Sequence, residues 1–318
     1  MSTLGLIIAG TGVITMCVAP LRELAVDVTV QDEQGLPVEG AKVQTEYYHF
    51  ITRSPFRLLT EPFVKSFDDY WMTLIRNSNA NGVSKLRFNP ADPNMPVTIT
   101  KDGYYLSRII LPDRMPDTPR KWTKEPIKIT PRLREIKNPI PLRGVQKQEI
   151  KFPAPWGTEA GFDLVKAEWT PPFGQGEHED IIVLPETQEN PQGNFPYQRL
   201  TVKFSDESSG IVTIPNSDLI MESEFPFPYL APLGVYTNTP IILTKKSALT
   251  YDSNLESRNL FFRIRVKYDD DGNVIEAIYG RFQPTEYIRR REIFYIKTDY
   301  LINPTLNDRN LEPMRNLK

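Results

Sequence analysis

The sequence predicts a mainly β protein built as two successive antiparallel β domains. Three observations carry that expectation. Proline is abundant, with 29 in 318 residues, against about 5% in ordinary proteins. It lacks a backbone donor and is confined to turns, edges and strand starts, so the elements must be short. From Leu24 onward apolar and polar residues alternate, the period of a strand with one buried face. Finally, Leu260–Tyr268 and Val274–Phe282 flank an Asp-, Gly- and Asn-containing turn, the pattern of a long hairpin.

Composition sets the outer limits. A chain of 318 residues has room for about two domains, each with its own core. With 40% hydrophobic and 25% charged residues, usage is that of a globular protein. The 38 Lys and Arg against 40 Asp and Glu leave a net charge of -2. No global field draws in nucleic acid or an anionic membrane, and no nucleic-acid partner is expected. The single cysteine, Cys17, rules out a disulfide within the chain. It also leaves the rest of the chain without a cysteine nucleophile or a Cys-ligated zinc.

Leu4 to Ala19 is an uncharged apolar run of 16 residues. That is short of the ~20 needed to span a bilayer and close to the ~7–15 of a signal-peptide core. Three readings stand open. In the first, residues 1–20 are a signal peptide or membrane leader, cut after Ala19 by the small-x-small rule through Cys17, with Pro20 an unfavourable neighbour. In the second, Cys17 is lipidated, although Met16 stands where a small residue is usual. In the third, the run is a buried N-terminal strand.

The first domain is expected over residues 21–137. Leu24, Val26, Val28 and Val30 alternate with Ala25, Asp27, Thr29 and Gln31. Asp32-Glu33-Gln34-Gly35 supplies a turn, and alternation resumes through Ala41, Val43 and Thr45. Tyr47, Tyr48 and His49 read as strand residues rather than ligands. The stretch Val26 to Gln44 (VDVTVQDEQGLPVEGAKVQ) resembles the opening of carboxypeptidase-regulatory-like, or transthyretin-like, domains. The matching positions are Asp32, Gly35, Pro37, Val38, Gly40, Ala41 and Val43. Gly82–Phe88 and Val97–Tyr105 are similar to two later strands of that family, so the resemblance runs from about Leu24 to Leu111. It implies a seven-stranded immunoglobulin-like sandwich, usually an accessory or adhesive module, and no activity.

The sequence departs from the family between Phe50 and Asn81, a segment long for a structureless loop. Phe67, Tyr70, Trp71, Leu74 and Ile75 recur at helical spacing. Ser66 and Asp69 suit a capping start, and Asn77 to Gly82 a stop. A helical insertion near residues 66–77 is therefore expected, packed on the sandwich or on a partner.

Seven prolines between Pro112 and Pro141 mark a stiff connection, with the boundary near Lys137. Ile127 to Ile129 can still complete the first domain. The second domain, residues 138–318, carries alternating runs at Leu164–Trp169, Ile181–Leu184, Leu200–Phe204, Gly210–Ile214 and Ile241–Thr244. The long hairpin follows, and Glu292–Lys297 is expected to join its sheet. Only a turn at Asn216–Met221 suggests any helix. Gly161–Trp169 (GFDLVKAEW) and Asn303–Pro313 (NPTLNDRNLEP) resemble C-terminal regions of bacterial exported proteins, a resemblance that names no activity.

Candidate chemistry is sparse. Glu177-His178-Glu179-Asp180 offers four potential ligands, but neighbours on a strand point to opposite faces, and a solvated loop explains the tract better. Asp269-Asp270-Asp271-Gly272-Asn273 has the core of a calcium loop. Its twelfth position is Gly280 rather than Glu, and a hairpin turn accounts for the same residues. Arg289-Arg290-Arg291 reads as a protected strand edge. Only His49 and His178 are available to a Ser-His-Asp arrangement, and no nucleophile elbow, zinc helix or phosphate loop occurs.

Four tryptophans and 14 tyrosines serve either a core or a ligand-stacking surface. Trp71, Trp156, Trp169 and His178 are the candidates for ligand or partner contact. The functional expectation is a non-catalytic, extracytoplasmic binding or structural module without cofactor or metal. Its partner would be a cell-wall glycan or an envelope protein, and it would touch a membrane only through the leader. The alternative is a glycan hydrolase with a carboxylate pair in the C-terminal domain.

Overall fold

The computed structural model describes residues 5–8, 14–17, 24–49, 70–88, 95–111, 125–188, 197–245, 251–253, 259–290 and 293–314. The protein is mainly β, and its only described helix is a three-residue 3-10 turn, Asn216–Asp218. It divides into two compact units, residues 1–136 with 220–226, and residues 137–219 with 227–318. A short stretch of the C-terminal half thus belongs to the first unit.

In the first unit, β1 (Gly5–Ile8) and β2 (Ile14–Cys17) pair, among the described residues, only with each other. The run expected as a leader therefore holds two antiparallel paired strands, with Cys17 opposite Gly5. β3 (Leu24–Thr29) lies between β6 (Val83–Phe88) and β9 (Ile127–Ile129) in a three-stranded sheet. The second sheet has the order β5-β4-β7-β8, from β4 (Lys42–His49), β5 (Tyr70–Asn77), β7 (Pro96–Thr100) and β8 (Ser107–Ile110).

Both sheets feed one apolar core. Val26, Val28 and Val30 are each 0% exposed and pack with Val43, Leu86, Phe88, Val97 and Ile99. The period-two pattern from Leu24 thus sorts side chains as alternation requires. The turn after β3 is closed by the Asp32 carboxylate, which accepts the Gln34 and Leu36 amides at 2.9 and 2.8 Å. Gly35 takes the left-handed conformation there, φ 81°, which glycine adopts without a Cβ clash.

The expected helical insertion is not formed. Tyr70–Asn77 is strand β5, paired with β4 from Lys42↔Asn77 to His49↔Tyr70. Residues 66–69 of that expectation lie outside the described residues. Trp71 and Ile75 are four apart and share a face in a strand as well as in a helix, so the stripe alone could not separate the two. The β-branched and aromatic content of YWMTLI and the open edge of β4 decide for a strand. Among the β5 residues whose burial is described, Leu74 alone is half-buried against the core.

The second unit contains two larger sheets. One has the order β10-β20-β19-β18-β15, from β10 (Arg143–Lys151), β15 (Gly210–Thr213), β18 (Leu260–Tyr268), β19 (Val274–Arg290) and β20 (Ile293–Asn303). The other has the order β12-β11-β13-β14-β16-β17, from β11 (Ala160–Asp163), β12 (Glu168–Trp169), β13 (Ile181–Gln188), β14 (Tyr197–Phe204), β16 (Ile241–Lys245) and β17 (Tyr251–Ser253). All of their strand pairs are antiparallel. Their common core includes Phe162, Trp169, Val183, Leu200, Phe262, Ile264 and Tyr300.

Of the expected run Leu164–Trp169, residues 164–167 are instead a turn, with Ala167 at φ 56°, that joins β11 to the two-residue β12, Glu168–Trp169. The 260–282 hairpin forms as the sequence indicates. Its turn is held by Asp269, whose carboxylate accepts the Asp271 and Asn273 amides. Arg289 and Arg290 stand opposite Phe294 and Ile293 at the hairpin end of the β19–β20 ladder, beyond the stretch of β19 that pairs with β18.

Candidate functional site

The clearest polar construction lies in the second unit, where three charged side chains from distant positions converge. Asp163 ends β11, Asp180 precedes β13, and Arg265 lies within β18. The register of β18 on β19 slips here: Ile264 faces Ile278 and Lys267 faces Glu276, so Arg265 and Val266 share Ala277 as their opposite number. Such a bulge re-aims a side chain. Arg265 adopts φ 54°, a conformation costly for a residue with a Cβ. In return its guanidinium reaches both carboxylates.

Its Nε donates to Asp180 Oδ1 at 2.9 Å, while Nη2 donates to Asp180 Oδ2 and Asp163 Oδ1, each at 2.9 Å. Asp163 is 0% exposed, and both its oxygens are further occupied. Oδ1 accepts the Val165 and Lys166 amides, and Oδ2 those of Glu177 and His178. Asp180 Oδ2 also accepts the Leu164 amide. The Tyr300 hydroxyl donates to the Leu164 carbonyl at 3.0 Å. At Gly161, two residues before Asp163, a Cβ would strike the Thr170 and Glu179 side chains.

Electrostatics follow from this geometry. Burial pushes the Asp163 carboxyl up, but the Lys166, His178 and Glu177 amides and the Arg265 charge outweigh it and hold it below the usual range. Burial opposes the Arg265 charge, yet hydrogen bonding and attraction from Asp180, then Asp163, fix the guanidinium more firmly in its charged form. Burial, with the Asp163 and Asp180 charges, pushes the Tyr300 hydroxyl well up. The cluster is a charge-assisted, hydrogen-bonded clasp over three chain segments.

Above the clasp opens a groove of about 600 Å3, with Arg265 in its wall. His178, Glu179, Asp206, Lys267, Glu276 and Leu306 are among its lining residues. Lys267 and Glu276 form an exposed ion pair at 2.7 Å. The lining therefore offers charges of both signs and many hydrogen-bonding groups, suited to a polar, hydroxyl-rich ligand more than to a simple ion.

The residues singled out from the sequence are not gathered into one site. Trp169 is a core residue, edge-on to Phe152 and Phe162, with Nε1 donating to the Lys151 carbonyl at 3.1 Å. Trp156 packs half-buried on the same core and donates to Thr187 Oγ1. His178 is exposed at the groove, its backbone amide serving Asp163. Trp71 is 63% exposed on β5 of the other unit, and Cys17 ends β2.

In the tract Glu177–Asp180 only Asp180 is buried; the other three are exposed. Among the described residues, no group of three or more His, Cys, Asp or Glu is placed to hold a metal ion. The residue of this cluster that sequence reasoning misses is Arg265, since bulges leave no signature in a run such as LFFRIRVKY. Asp163 was open to detection as a lone acid between Phe162 and Leu164.

No protein-family model matches the chain, and no curated protein matches it in sequence. Among solved structures it is similar to a point variant of the shaft pilin SpaA from Lactobacillus rhamnosus GG. The identity is 12%, over 87% of this chain and 94% of that chain, with a TM-score of 0.22. A score this low leaves the fold to stand on its own strands.

Proposed function

We propose that the chain is a non-catalytic, extracytoplasmic binding or structural module whose ligand site is the groove beside Arg265. The ligand class would be a cell-wall glycan or the glycan-bearing face of an envelope protein. The observation that supports this most directly is the saturation of Asp163 and Asp180. A glycosidase needs a carboxyl group free to give or take a proton at the scissile bond. Here Asp163 is ionised, wholly buried and engaged on both oxygens, which suits a rigid wall for binding. The apolar stretch before Pro20 supports export, with cleavage or lipidation at Cys17 as its two forms. The two sheets of the first unit and the Asp32–Gly35 turn support its kinship with carboxypeptidase-regulatory-like sandwiches.

The test is a binding screen of the full chain against cell-wall and surface glycans, with turnover measured on every hit. Binding without turnover, weakened by Lys267→Ala and Glu276→Ala, is the expected result. Hydrolysis of any hit, lost on substituting Glu179 or Asp206, would replace this reading with a glycan hydrolase.

A further inference from the structure

Residues 220–226 belong to the first unit, although the chain on either side of them builds the second. The segment is closed on itself. The Ile220 amide donates to the Pro226 carbonyl at 3.1 Å, the Ser223 amide to the Ile220 carbonyl at 2.9 Å, and the Phe225 amide to Ser223 Oγ at 3.2 Å. It lies along β8, the last strand of the β5-β4-β7-β8 sheet. The Arg108 amide donates to the Glu222 carbonyl and the Glu224 amide to the Leu106 carbonyl, each at 2.7 Å, around an antiparallel bridge between Ser107 and Ser223. Backbone bonds of this kind are how an extended peptide adds to a sheet edge.

The segment also carries an anchor. Phe225 is 0% exposed, with its ring 5.3 Å from that of Tyr105 and 5.4 Å from the Arg134 guanidinium. The walls of this pocket are themselves buried and tied together. The Tyr105 amide donates to the Arg134 carbonyl at 2.8 Å, and Arg134 pairs with Glu33 at 3.0 Å. Beside the anchor, the Glu222 carboxylate accepts the Arg132 amide at 3.4 Å.

We infer that the edge of β8 and the Tyr105–Arg134 pocket form a peptide-binding site in the first unit, and that residues 220–226 are its ligand, bound in cis. The ligand class is a short extended peptide with acidic residues flanking a serine, followed by a Phe-Pro anchor. Two features set the segment apart from an ordinary packed loop. The chain joins the first unit and leaves it again within these seven residues. Its contacts are the two components of strand addition: main-chain bonds, which give affinity, and a side-chain pocket, which gives selectivity. Charge agrees, since Glu222 and Glu224 come from the segment, and Arg108, Arg132 and Arg134 from the receiving chain. A tether of this kind holds its ligand at about millimolar effective concentration, so the site stays filled and the β8 edge stays guarded. The site does not rest on the groove beside Arg265 or on its ligand.

The test uses the full chain and a dye-labelled synthetic peptide with the sequence of residues 219–227. A chain carrying Glu224→Pro and Phe225→Ala loses one main-chain donor and the anchor, and it should bind the peptide saturably. The wild type, whose site is filled, should bind it more weakly by about tenfold or more. A peptide carrying Phe225→Ala should bind neither protein. Hydrogen exchange gives a second readout on the wild type, and it decides alone if the variant does not fold. At about millimolar peptide the chain's own Glu224 amide should lose protection as its segment is displaced, while the Arg108 amide stays protected by the incoming peptide and the β3–β6 ladder is unchanged. Equal or absent binding by wild type and folded variant would overturn the inference. So would undiminished binding of the Phe225→Ala peptide, or Glu224 protection in the wild type that the peptide leaves untouched.

Discussion

Arg265 and Asp180 meet side-on, with Nε and Nη2 of the guanidinium each 2.9 Å from a different carboxylate oxygen. Two parallel hydrogen bonds of this kind fix direction as well as distance, and Nη2 still reaches Asp163. Removing the cation leaves two buried carboxylates facing each other. Arg265→Ala should therefore cost roughly 3–5 kcal/mol, the usual penalty for breaking a buried pair, read as a lower urea midpoint with unchanged slope. Arg265→Lys should recover only part of this, because an ammonium cannot make the two-point contact. Arg265→Gly should be less damaging than Arg265→Ala by about 1 kcal/mol, since glycine relieves the φ of 54°.

Asp163 makes the second unit sensitive to acid, and its sign is fixed by the direction of its shift. Its carboxyl is held below the ordinary range when folded. Its contribution is therefore complete above the unfolded value, about 3.9, and is lost as pH falls through the lower folded value. Urea midpoints measured from neutral pH down to about pH 2 should fall steeply at the acid end in the wild type. In Asp163→Asn the profile should be lower at neutral pH and flatter in acid. A variant curve parallel to the wild type would show that other carboxylates govern acid unfolding.

How much of this was legible beforehand depends on what each residue's signal reports. Leu24, Val26, Val28 and Val30 announce their burial because period two follows directly from strand geometry. The Asp269–Asn273 turn is equally plain, since its glycine and carboxylate carry out local jobs. Trp71 and Ile75 misled, because a spacing of four places residues on one face in both periodicities, and only a neighbouring strand settles the matter. The clasp was hidden for a different reason. Asp163, Asp180 and Arg265 lie far apart in sequence, and their convergence depends on a bulge that no residue type declares. The motif around Asp163 drew notice for its likeness to other chains, while its physical content, one carboxylate serving four amides, needed the fold.

Gly280 and Phe262 illustrate a dependence that runs across strands. They face each other in the β18–β19 register, and a Cβ on Gly280 would collide with the Phe262 ring and the Leu301 carbonyl. The ring thus covers the glycine. Gly280→Ala should destabilise by about 1–3 kcal/mol through overpacking. Phe262→Leu alone should also destabilise, but the two changes together should cost less than their sum. Thermal or urea unfolding of the four proteins of this cycle measures the coupling. Additive costs would mean that the Leu301 backbone, not the ring, sets the limit.

Glu312 is 1% exposed and serves as a backbone anchor. Its two carboxylate oxygens accept the Lys137 amide at 2.8 Å and the Asn138 amide at 2.6 Å. Asn310 Nδ2 donates to the Asn138 carbonyl at 2.7 Å, and the Ile140 amide donates to the Glu312 carbonyl. Residues 310–314 thus hold the first residues of the second unit through side-chain and backbone bonds together. Glu312→Gln keeps the shape but replaces one acceptor oxygen with a donor that faces an amide N–H. The loss should be about 2 kcal/mol, in line with charge-assisted bonds and a buried donor left unmatched. Hydrogen exchange is the sharper readout. Protection of the Lys137 and Asn138 amides should fall in Glu312→Gln while that of the β18–β19 ladder changes only with global stability. Equal losses at both places would show that Glu312 supports the whole unit rather than clamping its entry strand.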